Sequence, residues 1–381
     1  MSDVKKIGVA VIACGARSKC VVNHLLQDSE NNVEILSVYD PIDSAADAAF
    51  ERWKIDPSKC KKCSNYMEAI NTPGVDWVMV FSPNAFHKEH ILAAFKAGKH
   101  VFSEKPLATS IDDCQEIYEA HKKTNLFFAT GFVLRYAPIY QKIKEFLDSG
   151  KFGKLLSIEA NENVTPSHGG YIMRNWRRKT ELAGPHILEK CCHDLDLINW
   201  FVGSLPSKVF FTGTKNVFMA QNRFMEEKFG LDAFNMWGGH DQIETAFNDD
   251  NDLMDTTCGT AIFRNGVQVS FCASMCNAIP ERRMRFNCSE GTIILELYEK
   301  TIKYRTIGEE ELHVLSYGID GHGGGDSHIM KELYTTMTQG VTPKCSGNEG
   351  LASAVFALAF DQSAREGKIV DLEETWKKLK R

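Results

Sequence analysis

The segment IGVAVIACGARS, residues 7–18, begins as a short apolar run and ends in a turn around Gly15. Such a run predicts a buried strand, and the amphipathic pattern up to about residue 27 predicts a helix. In dinucleotide-binding folds this strand–helix turn brings backbone N–H groups to the pyrophosphate. Only the middle glycine of the G-x-G-x-x-G pattern is present. The turn therefore indicates a nucleotide site formed by Ala13, Gly15, Ala16 and Arg17. Because the motif is degenerate, the assignment depends on its place between the first predicted strand and the first predicted helix.

The rest of the first third repeats this alternation. Strands are predicted at 33–39, 77–81, 100–103 and 126–130, and helices at 87–97 and 111–123. Strands that alternate with helices of this length predict a parallel sheet covered by helices on both faces. We therefore expect an α/β domain of the Rossmann type over residues 1–132.

Asp40 follows the second predicted strand, close to where an acid hydrogen-bonds the ribose 2′-hydroxyl in such folds. A carboxylate at this place repels a 2′-phosphate, so it favours NAD over NADP as the cofactor. The alternative is a turn-forming aspartate before Pro41.

Residues 133–381 have a different texture, which predicts an α+β domain. Longer, alternating strands are predicted at 154–161, 207–212, 256–264, 267–276, 282–287 and 292–296, and Asn265-Gly266 predicts a hairpin turn. A polar loop is expected over 162–183 and a long helix over 187–201. Residues 213–252 are rich in Phe and Met, and they fit either a pocket or interface insertion or a loop packed over the sheet.

Composition excludes several classes of protein. The net charge of −6 gives no basis for nucleic-acid binding. No secretory signal or long apolar run is evident, so we expect a cytoplasmic protein and no membrane. The 12 cysteines are scattered through a large chain and are expected to be free thiols. Cys60 and Cys63 form a lone C-x-x-C, and we expect no metal site.

Further along, Ser82-Pro83-Asn84 with His87 is followed by Ser103-Glu104-Lys105-Pro106. This pattern resembles the signatures of the glucose-fructose oxidoreductase / inositol dehydrogenase / MocA family. Later matches occur in the family's order and extend over nearly the whole chain: Gly131, Arg135, Pro138, Trp176, Arg177, His193, Asp196 and Trp200.

The resemblance implies a Rossmann domain followed by an α+β domain. The large, open, mainly antiparallel sheet of the second domain is expected to mediate a homodimer or homotetramer. Ser82, Asn84, His87, Glu104 and Lys105 would belong to the cofactor site. Lys105 would lie beside the nicotinamide and the reacting hydroxyl.

The resemblance also assigns proton transfer to His193, with a carboxylate one helical turn earlier. The family commonly has Asp where this chain has Glu189, and the longer side chain can still reach. Histidine suits the step because its pKa lies near neutrality. On a continuous helix Glu189 and His193 share one face, and Asp196 is the rival partner. The positive charge of Lys105 would favour the developing alkoxide.

Substrate contacts are expected mainly from the 162–183 loop. Aromatic faces stack on sugar rings and arginines bind hydroxyls or carboxylates. We therefore assign Tyr171, Arg174, Trp176 and Arg177, together with His193, to the substrate site. The alternative is that the arginines belong to an ordinary basic surface loop. The glycine-rich stretch 322–326 fits either a second ligand loop or a flexible loop.

These residues together predict an NAD(P)-dependent oxidoreductase acting on a secondary hydroxyl of a sugar, sugar derivative or polyol. One alternative is an NAD-dependent glycoside hydrolase that works by transient oxidation and elimination. Another is a non-catalytic nucleotide-binding protein. The presence of both Lys105 and His193 favours simple dehydrogenation.

Overall fold

The computed structural model describes residues 6–238, 242–318 and 321–381. The chain forms two compact units. Unit 1 comprises Met1–Tyr136 and Gly324–Leu351, and unit 2 comprises Ala137–Gly323 and Ala352–Arg381. Unit 1 thus includes a segment from late in the chain, which a single boundary does not represent. The boundary between residues 132 and 133 stays a prediction.

Unit 1 contains a six-stranded parallel sheet in the order β3-β2-β1-β4-β5-β6. Its strands are β1 (Ile7–Ile12), β2 (Val33–Tyr39), β3 (Lys61–Lys62), β4 (Val75–Val80), β5 (His100–Ser103) and β6 (Phe128–Thr130). The order reverses on either side of β1, so the carboxyl ends of β1 and β4 form the switch point at which such sheets bind ligands. The predicted Rossmann fold is confirmed.

Six helices belong wholly to unit 1. They are α1 (Ala16–Asp28), α2 (Asp43–Arg52), α3 (Tyr66–Ile70), α4 (His87–Lys96), α5 (Ile111–Lys122) and α12 (Gly325–Gln339). Side-chain caps fix two of their starts, because Ser110 accepts a hydrogen bond from Asp113 N and Asn65 accepts one from Glu68 N. A further helix, α13 (Gly347–Glu366), contains the division between the two units.

Unit 2 is built on a nine-stranded sheet in the order β14-β13-β12-β11-β7-β10-β9-β8-β15. The strands are β7 (Leu155–Asn163), β8 (Pro206–Thr214), β9 (Thr256–Phe263), β10 (Gln268–Ser274), β11 (Arg283–Cys288), β12 (Gly291–Glu296), β13 (Thr301–Thr306), β14 (His313–Ser316) and β15 (Val370–Asp371). Among the described strands of this sheet, only β7 and β10 pair in parallel. The expected mainly antiparallel sheet is confirmed, and so is the β9–β10 hairpin, in which Gly266 adopts a φ of +87°.

The helices of unit 2 are α6 (Pro138–Asp148), α7 (Pro166–Arg174), α8 (Thr180–Ala183), α9 (His186–Glu189), α10 (Cys192–Val202), α11 (Phe224–Phe229) and α14 (Glu373–Lys378). The expected loop over 162–183 is wrong, because α7 and α8 lie within it. Thr165 accepts a hydrogen bond from His168 N and Pro166 occupies the first turn, which together start α7. Because glycine is unfavourable inside helices, Gly169 and Gly170 argued against a helix at the sequence level.

Two cysteines depart from the expectation of free thiols. Cys258 on β9 and Cys272 on β10 are directly opposite in register and form a disulfide. Within the described ranges, the other ten cysteines form no disulfide. The expectation is therefore wrong for the one pair that the hairpin brings together, a pairing that spacing alone does not reveal.

None of the helices within the described ranges has both the length and the apolar character that a bilayer crossing requires.

Candidate active site

The turn after β1 has the form of a phosphate-binding cradle. Ala13 adopts a φ of +66°, and the chain then enters α1 at Gly15. A Cβ added to Gly15 would meet no atom of the described residues within 4 Å, and no side chain in this part of the structure caps α1. The N–H groups of the first helical turn are therefore open to an anion, as a pyrophosphate requires.

Asp40 lies at the same edge of the sheet. Its Oδ2 accepts a hydrogen bond from Cys14 N at 2.7 Å, and its Oδ1 accepts one from Ile42 N at 2.9 Å. The carboxylate thus joins the end of β2 to the turn after β1. Each oxygen retains a second lone pair for a ribose hydroxyl. The turn and Asp40 together fit a bound dinucleotide.

Ser82 and His87, two predicted cofactor residues, form contacts within the loops after β4 and β5. The buried His87 ring lies with Nε2 2.9 Å from Ser82 O and Nδ1 2.8 Å from Pro106 O, and burial lowers its pKa. Ser82 Oγ lies 2.9 Å from His90 Nδ1. His87 therefore orders the loop that contains Lys105, and its direct contact with a cofactor stays a prediction. Asn84, also buried, lies in the same loop after β4.

A partly buried ion pair holds the segment that precedes Lys105. Arg17 Nε lies 2.6 Å from Glu104 Oε1, and Arg17 Nη2 lies 2.7 Å from Asp326 Oδ1. Burial disfavours its charge, but the two carboxylates outweigh that effect and raise the pKa of Arg17. Glu104 Oε2 accepts a hydrogen bond from Lys105 N. A Cβ on Gly131 would lie 2.8 Å from Glu104 Oε2, which explains a glycine there.

Arg17 and Glu104 therefore form an ion pair with each other. Through the hydrogen bond from Lys105 N to Glu104, this pair positions the half-buried Lys105. The partner Asp326 belongs to the glycine-rich stretch 322–326. Sequence reasoning left that stretch open between a ligand loop and a flexible loop, and Asp326 contributes an ion pair.

In unit 2 the expected continuous helix over 187–201 is wrong. The chain forms α9 up to Glu189 and starts α10 at Cys192, with Lys190 and Cys191 between them. The argument that Glu189 and His193 share a face of one helix fails with it. Glu189 ends the first helix and His193 lies in the first turn of the second. Both are buried, and the His193 ring centroid lies 5.9 Å from that of His322.

Tyr171, Trp176 and Arg177 come together around Glu189. Arg177 donates from Nε to Glu189 Oε1 at 2.9 Å and from Nη1 to the Tyr171 hydroxyl at 3.0 Å. The Arg177 guanidinium lies 4.3 Å from the centroid of the Trp176 ring. The guanidinium thus orients Glu189 while two aromatic rings flank it, a combination suited to a polyhydroxylated ring.

Arg174 contacts a different part of unit 2 from Tyr171, Trp176 and Arg177, the residues with which it was predicted to bind substrate. Its Nε donates to Ile243 O at 3.0 Å, and its carbonyl accepts from Ile243 N at 2.8 Å. Arg174 therefore fastens the end of α7 to the 213–252 segment. Its role in substrate binding stays a prediction.

Sequence reasoning missed a buried cluster of charges beside His193. Arg282 donates to both carboxylate oxygens of Asp194, from Nε at 2.9 Å and from Nη2 at 2.7 Å. Glu162 Oε1 lies 3.2 Å from Arg282 Nη1 and 3.2 Å from Lys190 Nζ. The cluster joins β7 to the break between α9 and α10, so it holds the residues on either side of His193.

The pKa values of the two carboxyls in this cluster are shifted in opposite directions. Burial, with the negative charge of Glu162, raises the pKa of Asp194 to about 7. Burial alone would raise the pKa of Glu162, but the positive charges of Arg282 and Lys190 lower it below the usual range. Asp194 is therefore the carboxyl of this cluster that burial shifts toward the protonated form.

The parallel sheet, its open phosphate cradle and the acid at the end of β2 define a dinucleotide-binding protein. Comparison with known protein families identifies the family to which this dinucleotide-binding protein belongs. Residues 7–132 match "Oxidoreductase family, NAD-binding Rossmann fold", and residues 144–372 match "Oxidoreductase family, C-terminal alpha/beta domain". The chain belongs to the glucose-fructose oxidoreductase / inositol dehydrogenase / MocA family of oxidoreductases, and its cofactor domain is of the NAD-binding type.

Individual relatives include sugar and polyol enzymes. Inositol 2-dehydrogenase of Salmonella typhimurium is 30% identical over 192 residues, which cover 49% of this chain and 52% of that protein. The 2,7-anhydro-N-acetylneuraminate hydratase of Escherichia coli is 29% identical over 183 residues, covering 48% and 46%. The chain thus spans about half the length of these two relatives.

Among solved structures, levoglucosan dehydrogenase in complex with NADH and levoglucosan superposes with a TM-score of 0.80 at 18% identity. The superposition covers 97% of this chain and 100% of that one. At this identity the likeness shows the shared fold.

Proposed function

We propose that the protein transfers hydride between NAD and a secondary hydroxyl of a sugar, sugar derivative or polyol. The observation that carries this proposal is the Tyr171–Arg177–Glu189 arrangement, which lies in the same unit as His193 and adjoins it in sequence. It offers aromatic faces and directed hydrogen bonds, the two kinds of contact that a polyol needs because it has little apolar area.

The residues would divide the work as follows. The N–H groups at the start of α1 and the Asp40 carboxylate would hold NAD, which supplies the hydride acceptor when bound. His193 would accept the hydroxyl proton, and a carboxylate of the same unit, either Glu189 held by Arg177 or Asp196 on α10, would steady the resulting imidazolium. Lys105 would place its positive charge at the developing alkoxide. The ion pairs behind Lys105 and beside His193 would keep both side chains oriented before substrate arrives.

The test is turnover by the purified protein. NAD and NADP are each mixed with a panel of cyclic sugars, glycosides, cyclitols and acyclic polyols, and reduced nucleotide and released aglycone are measured together. Sustained formation of NADH with at least one sugar or polyol is the expected result. No reduced nucleotide and no aglycone with any compound would contradict the proposal.

A second candidate is transient oxidation followed by elimination. It is favoured by one comparison, since a relative from Escherichia coli is named for hydration of an anhydro sugar. Such an enzyme would release aglycone without net NADH and would retain its nucleotide. The same panel separates the two functions.

We also propose a homodimer or homotetramer formed through the open face of the nine-stranded sheet. Alternate residues along β8 and β9 are exposed, and Phe210 and Ile262 present apolar side chains on that face. The substitution Phe210→Glu should lower the molar mass measured by light scattering if this face is the interface. An unchanged mass would contradict that assignment.

A further inference from the structure

The described residues of the segment 213–252, namely 213–238 and 242–252, form a small packed layer over α7. Four of the segment's apolar residues belong to one buried core: Phe218, Phe234, Ala246 and Phe247. The same core contains residues from α7 and from the chain around it: Val164, Ile172, Met173, Leu253 and Met275. Arg174 adds the backbone contacts with Ile243 described above. The segment is therefore a built part of unit 2.

Two glycines of α7 set how closely this layer approaches. A Cβ on Gly170 would lie 1.9 Å from Phe234 O, and a Cβ on Gly169 would lie 2.0 Å from Met275 O. Side chains at these positions would push the layer away from α7. The close approach places Phe234, and with it the nearby Trp237, against the part of α7 that contains His168 and Tyr171.

Trp237 packs against α7 and remains accessible. Its ring centroid lies 5.0 Å from that of Tyr171 and 5.1 Å from that of His168, both nearly perpendicular. It is nevertheless 47% exposed. Tyr171 in turn accepts the hydrogen bond from Arg177, which binds Glu189. Trp237 is thus joined through Tyr171 and Arg177 to the carboxylate of the candidate site.

We propose that Trp237 is a specificity-determining residue that stacks on the ring of a cyclic sugar or cyclitol. This inference rests on the proposed function and names its substrate class more narrowly. A ring-form sugar offers one face of C–H groups to an aromatic plane, whereas a flexible acyclic polyol must first be ordered to offer the same surface. The site would therefore prefer cyclic compounds over acyclic polyols of the same hydroxyl content.

The test measures binding directly, so that it does not depend on turnover. D-Glucose, myo-inositol and the acyclic polyol sorbitol are titrated calorimetrically into the NADH-loaded wild type, Trp237→Ala, Trp237→Phe and a control, Phe229→Ala. Phe229 belongs to the same segment and is 55% exposed, so the control removes a similar exposed aromatic group elsewhere.

We expect Trp237→Ala to weaken binding of the cyclic compound that the wild type binds best by roughly 2- to 12-fold, the range for an aromatic contact. Trp237→Phe should retain most of the affinity, Phe229→Ala should match the wild type, and sorbitol should bind more weakly throughout. Affinity for NADH should stay the same in all four proteins.

Equal affinity in Trp237→Ala and the wild type, or no binding of either cyclic compound by the wild type, would overturn the inference. Trp237-dependent binding in a protein that reduces no nucleotide would instead refute the proposed hydride transfer, and only the role of Trp237 in binding a cyclic ligand would remain.

Discussion

Replacing Arg282 by Met tests the buried cluster beside His193. Arg282 is 4% exposed, and both carboxylates that it contacts, Asp194 and Glu162, are fully buried. The substitution keeps an apolar stem of similar length and removes the positive charge. Asp194 then loses both hydrogen bonds of its bidentate contact, while Glu162 keeps Lys190 at 3.2 Å.

The structure sets the size of the expected loss. Two hydrogen bonds to a charged group contribute about 1.5–3 kcal/mol each. Removing one partner of a buried pair costs about 3–5 kcal/mol, because a charge remains uncompensated. We therefore expect the free energy of unfolding to fall by about 3–5 kcal/mol at pH 8. The loss should be smaller at pH 6, because protonation of Asp194 then removes its unpaired charge.

The neighbouring residue supplies a matched control. Arg283 is 37% exposed on its side chain and lies 3.6 Å from Glu281, so Arg283→Met should cost only about 0–1 kcal/mol. Urea unfolding curves of the three proteins at both pH values measure the difference. If Arg282→Met were as stable as Arg283→Met at pH 8, the reasoning about the cluster would be refuted.

Three further predictions concern the cofactor, the chemistry and pH. Calorimetry should show NAD binding more tightly than NADP by roughly 5-fold or more, because Asp40 repels a 2′-phosphate. Asp40→Ser should reduce this difference in affinity, and tighter binding of NADP by the wild type would contradict the prediction. Lys105→Ala and His193→Ala should each lower kcat by about 10²–10⁴-fold with unchanged circular dichroism, and near-normal activity would move the proton transfer elsewhere. The free energy of unfolding should fall as pH rises from about 5 toward neutrality, because the raised pKa of Asp194 lets the folded protein keep a proton that the unfolded chain has already released. Asp194→Asn should flatten this slope, and an unchanged slope would show that other groups cause it.

Much of the fold could be predicted because local pattern and family order agree. The alternation of strands and helices up to residue 132 gave the parallel sheet, and Asn265-Gly266 gave the β9–β10 hairpin. The two-residue strands β3 and β15 were missed, since so short a segment has no period to detect. α7 was missed because its glycines serve close packing, which depends on partners distant in sequence.

The candidate site was predictable only in part. Tyr171, Trp176, Arg177 and Glu189 are close in sequence, and the structure brings them together. The Arg282–Asp194 pair joins residues 88 apart, and neither has a local pattern that marks it as buried. The break after Glu189 contains Lys190, which pairs with Glu162 of the same cluster, and local pattern alone predicted one helix where there are two.

Hydride transfer between a sugar carbon and NAD can be followed with an isotopic label. It is tested most directly with the best compound of the panel, deuterated at its carbon-bound positions, under single-turnover conditions with NAD. The account predicts that deuterium appears at C4 of the nicotinamide, in an amount equal to the sugar oxidised. Product formation without any deuterium reaching the nicotinamide would contradict it.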